Sequence, residues 1–435
     1  MPKTLFLLWA LGAALRLAFV VLEPRTAPVA DETMWLMALT RIPAADFSPL
    51  SNYPIFHPPL YSYFLASVHA AFGSLLAIKL VQALIGSLLI PAVFRIAQWG
   101  FGPRTALVSA LLAATYPELI WYSAHFWCET LLLSLLWWAV ERVTVADTTS
   151  ARSAALMAGV LLGLAVLTRE TVLYLLPLLA FWLAYAKPPR NKSLAMLTLA
   201  TAFAVVAPWT VRNWIQFKTF IPVSTGGGLN LYQGNAEVSR QEVYNEYYAN
   251  EGKVGQYQWA RTAGIEAILK RQPAWIFEKF RDEGPRLAEL DSLTLIHLRR
   301  GAYEGATCGI YRGVAAVVLI PWILIALGSV IAVARVPLNR RTLFLIGLVI
   351  AYLMLHIATH GFSRYRLPVI PAFMILAASL FERHGPPGTA ALRRGLSIVM
   401  AVGLAFLWAP SLLDQLGFLG FISPSDHEGF TPLCP

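Results

Sequence analysis

The chain has 435 residues, of which 57% are hydrophobic and only 13% carry a formal charge. Soluble domains are about half apolar and about a quarter charged, so this composition excludes an ordinary soluble domain and predicts a polytopic membrane protein. The net charge of +10 comes from basic residues in short gaps between apolar runs. This pattern indicates loops that obey the positive-inside rule and argues against nucleic acid as a partner.

Apolar runs of about 17 to 25 residues, each long enough to cross a hydrocarbon core, recur along most of the chain. Membrane strands would give short alternating segments instead, so the predicted fold class is all-α. We predict about eleven transmembrane helices, interfacial helices in the first outside loop, and a cytoplasmic N-terminus in the cell inner membrane. The predicted spans are 5–22, 75–99, 104–121, 129–146, 151–168, 170–186, 192–210, 310–333, 341–359, 365–383 and 395–413.

Residues 59–72 decide this topology. The run is short for a span and begins with a proline pair, so we predict a helix that lies in the outer membrane interface. The gaps that then fall on the cytoplasmic side all carry Lys or Arg. The chain divides into an N-terminal transmembrane module at 1–211 with an outside loop at 23–74, an outside cap at 212–308, and transmembrane helices with a short outside tail at 309–435.

The cap contains two kinds of sequence. Residues 213–235 are rich in Gly, Ser and Asn, which predicts loop or short strand. Residues 257–280 show helical periodicity, with Ile265, Ile268 and Leu269 at the spacing of one helix face. No Walker A loop and no GxGxxG after a strand is present, so nothing supports a nucleotide-driven activity.

The three cysteines have no metal-type spacing. Cys128 is predicted to be inert. Cys308 and Cys434 fall on the same side of the membrane in this topology, where an oxidising compartment would allow them to pair. Whether they do so is left open by the sequence.

Unusual polar residues lie directly against apolar runs in the predicted outside gaps. They are Asp31, Glu32, His57, His125, Glu129, Arg169, Glu170, Arg212, Asn213, His360, Arg364 and Arg366. Carboxylates and guanidinium groups that converge on one membrane face can hold an anionic group and deprotonate a nucleophile beside it. The pattern therefore predicts a site for a lipid-phosphate substrate.

Several of these residues also have a structural interpretation. Asp31 and Glu32 suit the cap and first turn of a following helix. Arg169 and Glu170 suit an ion pair at a helix start, and Arg212 suits a side chain that extends to the interface.

The remaining candidates differ in how well a structural role explains them. His57 precedes two prolines that fix the backbone whatever the imidazole does. The glycines at 226–228 permit close approach of the backbone to a ligand, and they also suit a plain turn. Arg364 and Arg366 oppose the topology rule, so an acidic partner outside the membrane is needed to explain them.

Five stretches in this order resemble the polyprenyl-phosphate-sugar-dependent glycosyltransferases of the GT-C fold. Among these the chain looks closest to bacterial enzymes related to protein O-mannosyltransferases, aminoarabinose transferases and the Rgt-type lipopolysaccharide core transferases. The stretches are the Asp-Glu pair after the first helix, YPIFHPPLYSY (53–63), TRE (168–170), PWTVRNWIQFKTFIPVSTGGGLNLYQGN (208–235) and RYRLPVIPAF (364–373).

The resemblance implies inverting transfer of a sugar from a polyprenyl-phosphate donor to a hydroxyl of an envelope glycan, lipid or protein, at the outer face of the membrane. It implies Asp31 as the catalytic base and Glu32 and Glu129 as further acidic site residues. The donor phosphate is expected to contact Arg169, Arg212, Arg364 and Arg366. Substrate contacts are expected from His57, Tyr61, Glu170, Asn230, Tyr232, Asn235 and Tyr365.

Some points stay open. The aminoarabinose transferases carry Glu-Lys where this chain has Phe56-His57, so their metal and phosphate contacts there are not transferred. A divalent metal ion is conceivable, because Asp31, Glu32, His57, Glu129 and His360 all offer oxygen or nitrogen donors. No other cofactor is expected.

Two other function classes are alternatives to a glycosyltransferase. A flippase for lipid-linked saccharides would place ionisable residues near the midplane and show repeat symmetry, and the sequence shows neither. A noncatalytic assembly factor that kept the fold is the third alternative.

Overall fold

The computed structural model describes residues 3–23, 28, 31–42, 55–185, 191–383 and 390–415, without the side chains of Asp31 and a few other helical residues. All regular structure in these residues is helical, which confirms the predicted all-α class. Helices occupy each of the eleven predicted spans.

The number of helices that cross the membrane stays a prediction. Six segments of the described chain are long and apolar enough to do so by length and composition. They are Lys3–Leu22, Leu75–Gly100, Lys192–Phe217, Cys308–Arg335, Arg340–Ala358 and Ser363–Phe381.

The first helices lead to the run that decides the topology. They are α1 (Lys3–Leu22), α2 (Asp31–Leu36), α3 (Ala38–Arg41) and α4 (Pro59–Phe72). Gly73 ends α4 with φ 65°, and Ser74 then caps the next helix by accepting a hydrogen bond from the Ala77 amide. With 14 residues α4 is about 21 Å long, too short for a hydrocarbon core of about 30 Å. Its placement in the interface stays a prediction.

Two predicted spans are each built from two helices in tandem. They are α5 (Leu75–Ser87) with α6 (Leu89–Gly100), and α7 (Pro103–Thr115) with α8 (Pro117–Ser123). Pro91 lacks the amide that would continue the α5 ladder, and the helix is interrupted at Leu88. Tyr116 precedes Pro117 and is extended, as the steric demand of a following proline requires.

The next four helices carry residues of the candidate site at their ends. They are α9 (Glu129–Thr149), α10 (Arg152–Thr168), α11 (Leu176–Tyr185), which follows a 3-10 segment at Glu170–Leu175, and α12 (Lys192–Phe217). Glycines bring α10 close to α12, since a Cβ at Gly159 would lie 2.6 Å from the Thr198 carbonyl oxygen. Such small residues allow membrane helices to pack closely.

Five helices connect α12 to the C-terminal membrane part. They are α13 (Gly226–Asn235), α14 (Arg240–Ala249), α15 (Gly252–Lys270), α16 (Trp275–Ala288) and α17 (Leu293–Arg299). The prediction of loop or short strand for 213–235 is wrong, because α12 continues to Phe217 and α13 is helical. Its glycines serve packing, since a Cβ at Gly228 would lie 3.0 Å from the Tyr257 carbonyl oxygen of α15.

The predicted helix at 257–280 is confirmed in two pieces, α15 and α16. The predicted apolar face of α15 is not its buried face, because Ile265 and Leu269 are 41% and 65% exposed. The buried side of α15 consists instead of the small and polar residues Gln256, Ala260 and Gly264. The buried face of α15 therefore consists of residues that allow close packing against the neighbouring helix, rather than of large apolar side chains.

The C-terminal part contains α18 (Cys308–Arg335), α19 (Arg340–Ala358), a 3-10 segment at Ser363–Val369, α20 (Ile370–Ala378) and α21 (Ala390–Gln415). Cys128 is buried and not in a disulfide. Cys434 lies outside the described residues, so its predicted pairing with Cys308 stays a prediction.

Hydrogen bonds join the end of α16 and the segment after it to the C-terminal membrane helices. The Arg366 guanidinium donates to the carbonyl oxygens of Leu287, Glu289 and Asp291 at 3.1, 2.6 and 2.9 Å. The Trp408 indole of α21 donates to the Ala288 carbonyl oxygen at 2.7 Å. The stretch between α16 and α17 is thus fixed above the 3-10 segment that precedes α20.

Candidate active site

A buried ion pair lies where two neighbouring helices end. Glu129 begins α9 and Arg169 follows α10, and these helices are antiparallel neighbours joined by a short turn at their opposite ends. Arg169 Nη1 donates to Glu129 Oε1 at 2.6 Å, with side-chain exposures of 16% and 2%. Each charge is thereby compensated in surroundings that would otherwise make it costly.

A second arginine shares an aromatic support with the first. The guanidinium carbons of Arg169 and Arg364 lie 5.0 and 5.2 Å from the centroid of the Tyr365 ring. Arg364 also lies 5.0 Å from the ring centroid of Trp127. Cation–π contacts of this kind orient a guanidinium. Three predicted site residues, Arg169, Arg364 and Tyr365, are therefore brought together with Glu129.

The start of α2 is fixed beside the start of α9. Glu32 is fully buried, and its Oε1 accepts a hydrogen bond from the Phe126 amide at 2.9 Å. Phe126 lies three residues before Glu129 in the loop that joins α8 to α9. Asp31 is the first residue of α2, and its Cα is about 3.8 Å from that of Glu32. The Glu32 carboxylate thus connects the start of α2, which carries Asp31, to the loop that leads into Glu129.

His57 and Tyr61 both pack on Trp35 of α2. The His57 ring is stacked on the Trp35 ring at 4.4 Å, and the Tyr61 ring meets it edge-on at 5.0 Å. Tyr61 is fully buried and donates to Gln82 Oε1 at 2.7 Å. In this structure Tyr61 is therefore part of the packed framework, and its predicted contact with a substrate stays a prediction.

Glu170 lies against the first turn of α13. Its Oε2 accepts a hydrogen bond from Ser224 Oγ at 2.5 Å, and a Cβ at Gly227 would collide with its Oε1. The Gly226 amide donates to the Phe56 carbonyl oxygen at 3.1 Å. The glycine run thus permits close packing against Glu170 and against the segment that carries His57.

Three predicted substrate residues lie further along α13. Asn230 is exposed, and the Tyr232 hydroxyl donates to Glu246 of α14. Asn235 is buried and donates to the Ala358 carbonyl oxygen at 3.1 Å, while its Oδ1 accepts from the Trp275 indole at 2.8 Å. Asn235 therefore connects α13, α16 and the end of α19.

The other two predicted phosphate ligands have different surroundings. Arg212 donates to Asn213 Oδ1 at 3.0 Å and lies 4.7 Å from the Trp209 ring centroid. Arg366 is 3% exposed, and three backbone carbonyls already accept from its guanidinium. The hydrogen bonds of Arg366 in this structure are thus with the backbone, and its predicted contact with the donor phosphate stays a prediction.

A buried network that the sequence analysis did not assemble supports the same loop. Glu23 lies 2.9 Å from both Lys79 Nζ and His125 Nε2, and the Tyr303 hydroxyl donates to it at 3.4 Å. Burial alone would raise the pKa of Glu23, but hydrogen bonds and charge from His125 and Lys79 lower it to about 2. The sequence does contain a signal for this network, because Glu23 and Lys79 carry opposite charges near the outer ends of two predicted spans.

The structure identifies no metal centre among the described side chains, in which no three His, Cys, Asp or Glu converge. His360, a predicted donor, lies 3.7 Å from Glu283 of α16. Burial and the surrounding cationic side chains lower its pKa to about 3. Because the Asp31 side chain is outside that set, the question of a metal ion stays open.

Comparisons with known proteins give a family match for part of the chain. Residues 56–211, roughly a third of the chain, match the family described as dolichyl-phosphate-mannose-protein mannosyltransferase. No curated protein matches the chain by sequence.

Solved structures extend the likeness to nearly the whole chain. ArnT from Cupriavidus metallidurans in the apo state has a TM-score of 0.53 and 16% identity, covering 97% of this chain and 66% of its own. The oligosaccharyltransferase AglB from Archaeoglobus fulgidus, in complex with an inhibitory peptide and a dolichol-phosphate, has a TM-score of 0.52 and 16% identity, covering 96% and 56%. The apo form of the oligosaccharyltransferase from that organism has a TM-score of 0.51 and 14% identity, and the match covers 95% of this chain and 55% of that one.

The chain spans between 55% and 66% of the length of these three structures. Identities this low show the fold alone, and the fold is the one that the sequence motifs predicted. The chain therefore has the GT-C fold of integral membrane glycosyltransferases.

Proposed function

We propose that this protein is an inverting membrane glycosyltransferase that moves a sugar from a polyprenyl-phosphate donor to a hydroxyl of an envelope glycan, lipid or protein. The observation that carries the proposal is the Glu129–Arg169 ion pair beside Arg364, with the start of α2 hydrogen-bonded to the loop that leads into Glu129. The family match of residues 56–211 supports a donor of this chemical class, and so does the dolichol-phosphate complex of AglB, which is a different protein.

Arg169 and Arg364 suit the binding of the donor phosphate. Guanidinium groups donate paired hydrogen bonds to phosphate oxygens, and their strength rises where water is excluded. Contacts with the Tyr365 and Trp127 rings keep the two groups in place before the donor arrives. Groups that are already oriented stabilise charge on the leaving phosphate without a reorganisation cost.

Glu129 is suited to a positioning role. Its carboxylate accepts a hydrogen bond from Arg169 at 2.6 Å and so holds that guanidinium in place. Glu32 is similarly engaged by the Phe126 amide. Asp31, at the first position of α2, is then our candidate for the general base.

In the proposed reaction Asp31 accepts the proton of the acceptor hydroxyl, whose oxygen forms a bond to the anomeric carbon. The bond between that carbon and the phosphate oxygen breaks, and its electron pair leaves with the polyprenyl phosphate. Attack from the side opposite the phosphate inverts the configuration. Arg169 and Arg364 stabilise the charge that develops on the phosphate.

We further propose that the site faces the outer side of the cell inner membrane, with the N-terminus of α1 in the cytoplasm. The support is the distribution of Lys and Arg, which places the opposite gaps in the cytoplasm. A donor carried by a membrane lipid can reach a site at the ends of α9 and α10 laterally, without leaving the bilayer.

The decisive experiment is the substitution Asp31→Asn, assayed for sugar transfer from a polyprenyl-phosphate donor by protein in liposomes. Asn caps a helix about as well as Asp, so the fold should persist, while transfer should fall roughly 10²-fold or more with the loss of the base. Glu32→Gln is the matched control, because its amide oxygen still accepts from Phe126. Equal transfer by wild type and Asp31→Asn would remove Asp31 as the base.

A further inference from the structure

An apolar groove lies on the membrane-facing side of α5, α6, α9 and α10. Its volume is about 540 Å³, within the range of roughly 300 to 1,000 Å³ that is typical of ligand clefts. Most of the lining is aliphatic, with Trp138 toward one end. The aliphatic residues include Ile85, Leu88, Leu131, Leu135, Met157 and Leu161.

The groove runs away from the candidate active site. Leu131, Leu135, Trp138 and Arg142 follow one another on α9 at intervals that place them on one helix face. Arg142 is 13 residues beyond Glu129 on this helix, which is about 20 Å along its axis. The groove therefore ends near the membrane face opposite the Glu129–Arg169 pair.

Two arginines lie at this far end. Arg95 Nη1 is 3.3 Å from Glu141 Oε1, and Arg142 Nη2 donates to the same oxygen at 2.7 Å. One buried carboxylate thus serves two guanidinium groups, which leaves one positive charge in excess among the three side chains. The Arg95 side chain is 51% exposed, and its guanidinium carbon lies 5.4 Å from the Trp138 ring centroid.

We propose that this groove binds an anionic glycerophospholipid, with an acyl chain along the aliphatic lining and the phosphate at Arg95 and Arg142. The excess positive charge at one end matches a single phosphodiester, and basic pockets between membrane helices are a known setting for anionic headgroups. This site is distinct from the proposed donor site, because its cationic end lies on the opposite membrane face.

The donor lipid does not fit the groove as well. A polyprenyl phosphate bound at Arg169 would leave only hydrocarbon in the groove, and hydrocarbon gives Arg95 and Arg142 no anion to contact. A phospholipid satisfies both the aliphatic lining and the arginines. The proposal therefore predicts selectivity for headgroup charge, which a hydrocarbon tail would not produce.

The test is a titration of the full-length protein with phosphatidylglycerol and phosphatidylcholine of identical acyl chains, followed by native mass spectrometry. We expect phosphatidylglycerol to bind roughly fivefold tighter, as a contact worth about 1 kcal/mol with one basic residue predicts. Arg95→Gln should abolish this preference. Arg152→Gln at the start of α10, on the same membrane face but outside the groove, is the charge-matched control and should retain it.

A second variant tests the groove without changing its charge. Met157 is 50% exposed, so Met157→Trp should fold while it fills the groove, and it should reduce retention of both phospholipids. Equal binding of the two phospholipids by wild type would overturn the proposal. An equal loss of preference in Arg152→Gln, or one-for-one displacement of phosphatidylglycerol by undecaprenyl phosphate, would also overturn it.

Discussion

Glu129 and Arg169 are forty positions apart in the sequence, and their side chains form a buried ion pair with an N–O distance of 2.6 Å. The pair lies at one end of the interface between α9 and α10, which is the end where several predicted site residues meet. It also places one guanidinium beside Tyr365, where Arg364 supplies a second. The pair therefore contributes to the stability of the helix pair as well as to the proposed phosphate site.

The first prediction concerns this double role. Glu129→Gln or Arg169→Gln alone leaves one buried charge without its partner, and each should lower the free energy of unfolding by about 3 to 5 kcal/mol. The double variant should be less unstable than the sum of the two, and all three proteins should lose transfer activity. Thermal unfolding in detergent with a double-mutant cycle measures the coupling.

Arg281→Gln is the control for this cycle. Its partner Asp282 is 49% exposed, and exposed pairs contribute at most about 1 kcal/mol. If the effects of Glu129→Gln and Arg169→Gln simply add in the double variant, the pair does not interact in the native protein.

A second prediction follows from Glu289, in the segment between α16 and α17. Burial and the nearby charge of Asp291 raise the pKa of its carboxyl from 4.5 to about 7. The folded protein therefore favours the protonated carboxyl. Below about pH 4.5 the group does not lower the free energy of unfolding, because it is protonated in both states. Between about pH 4.5 and pH 7 it lowers the free energy of unfolding increasingly, and above about pH 7 the loss is complete. The stability of the wild type should therefore fall across this window.

Glu289→Gln removes the titration, and the Arg366 contact survives because it uses the backbone carbonyl. The variant should match the Tm of the wild type near pH 4.5 and exceed it at pH 8. Glu251→Gln, at an exposed position, is the control and should have the Tm of the wild type both near pH 4.5 and at pH 8. A Tm difference for Glu289→Gln that is the same at both pH values would contradict the assignment.

Apolar run length and charge placement predicted the positions of the membrane helices and of α4. Local composition failed at 213–235, because the glycines there serve close contact between α13 and α15, which only the folded chain reveals. Contacts across long sequence separations were also beyond prediction. Glu23, Lys79 and Tyr303 form one network although they lie in three different segments.

The topology gives a third prediction, which uses single cysteines introduced at Ser74 and Pro103. Ser74 lies between α4 and α5, and Pro103 is the first residue of α7, next to the gap that follows α6. If α4 does not cross the membrane, an impermeant thiol reagent applied outside intact cells should modify the cysteine at 74 and spare the one at 103. The wild type provides the background signal from its three native cysteines, of which Cys128 is buried. Labelling at 103 from outside would refute the topology.

The final prediction separates Arg364 from Arg366, which sequence reasoning treated alike. Arg364 lies over Trp127 and Tyr365, beside Arg169. Arg366 is buried and donates to three backbone carbonyls of 287–291. We therefore expect the first to act on the donor and the second to act on stability.

Arg364→Lys keeps the charge but loses the planar pair of donors, so it should raise the KM for the donor by about tenfold with little change in Tm. Arg366→Met should leave three buried carbonyls without a donor, at about 1 to 3 kcal/mol each, and should lower Tm strongly. Any Arg366→Met protein that remains folded should have a near-normal KM for the donor. Thermal unfolding and donor titration of both variants decide between the roles, and a raised KM in Arg366→Met with an unchanged Tm would reverse the assignment.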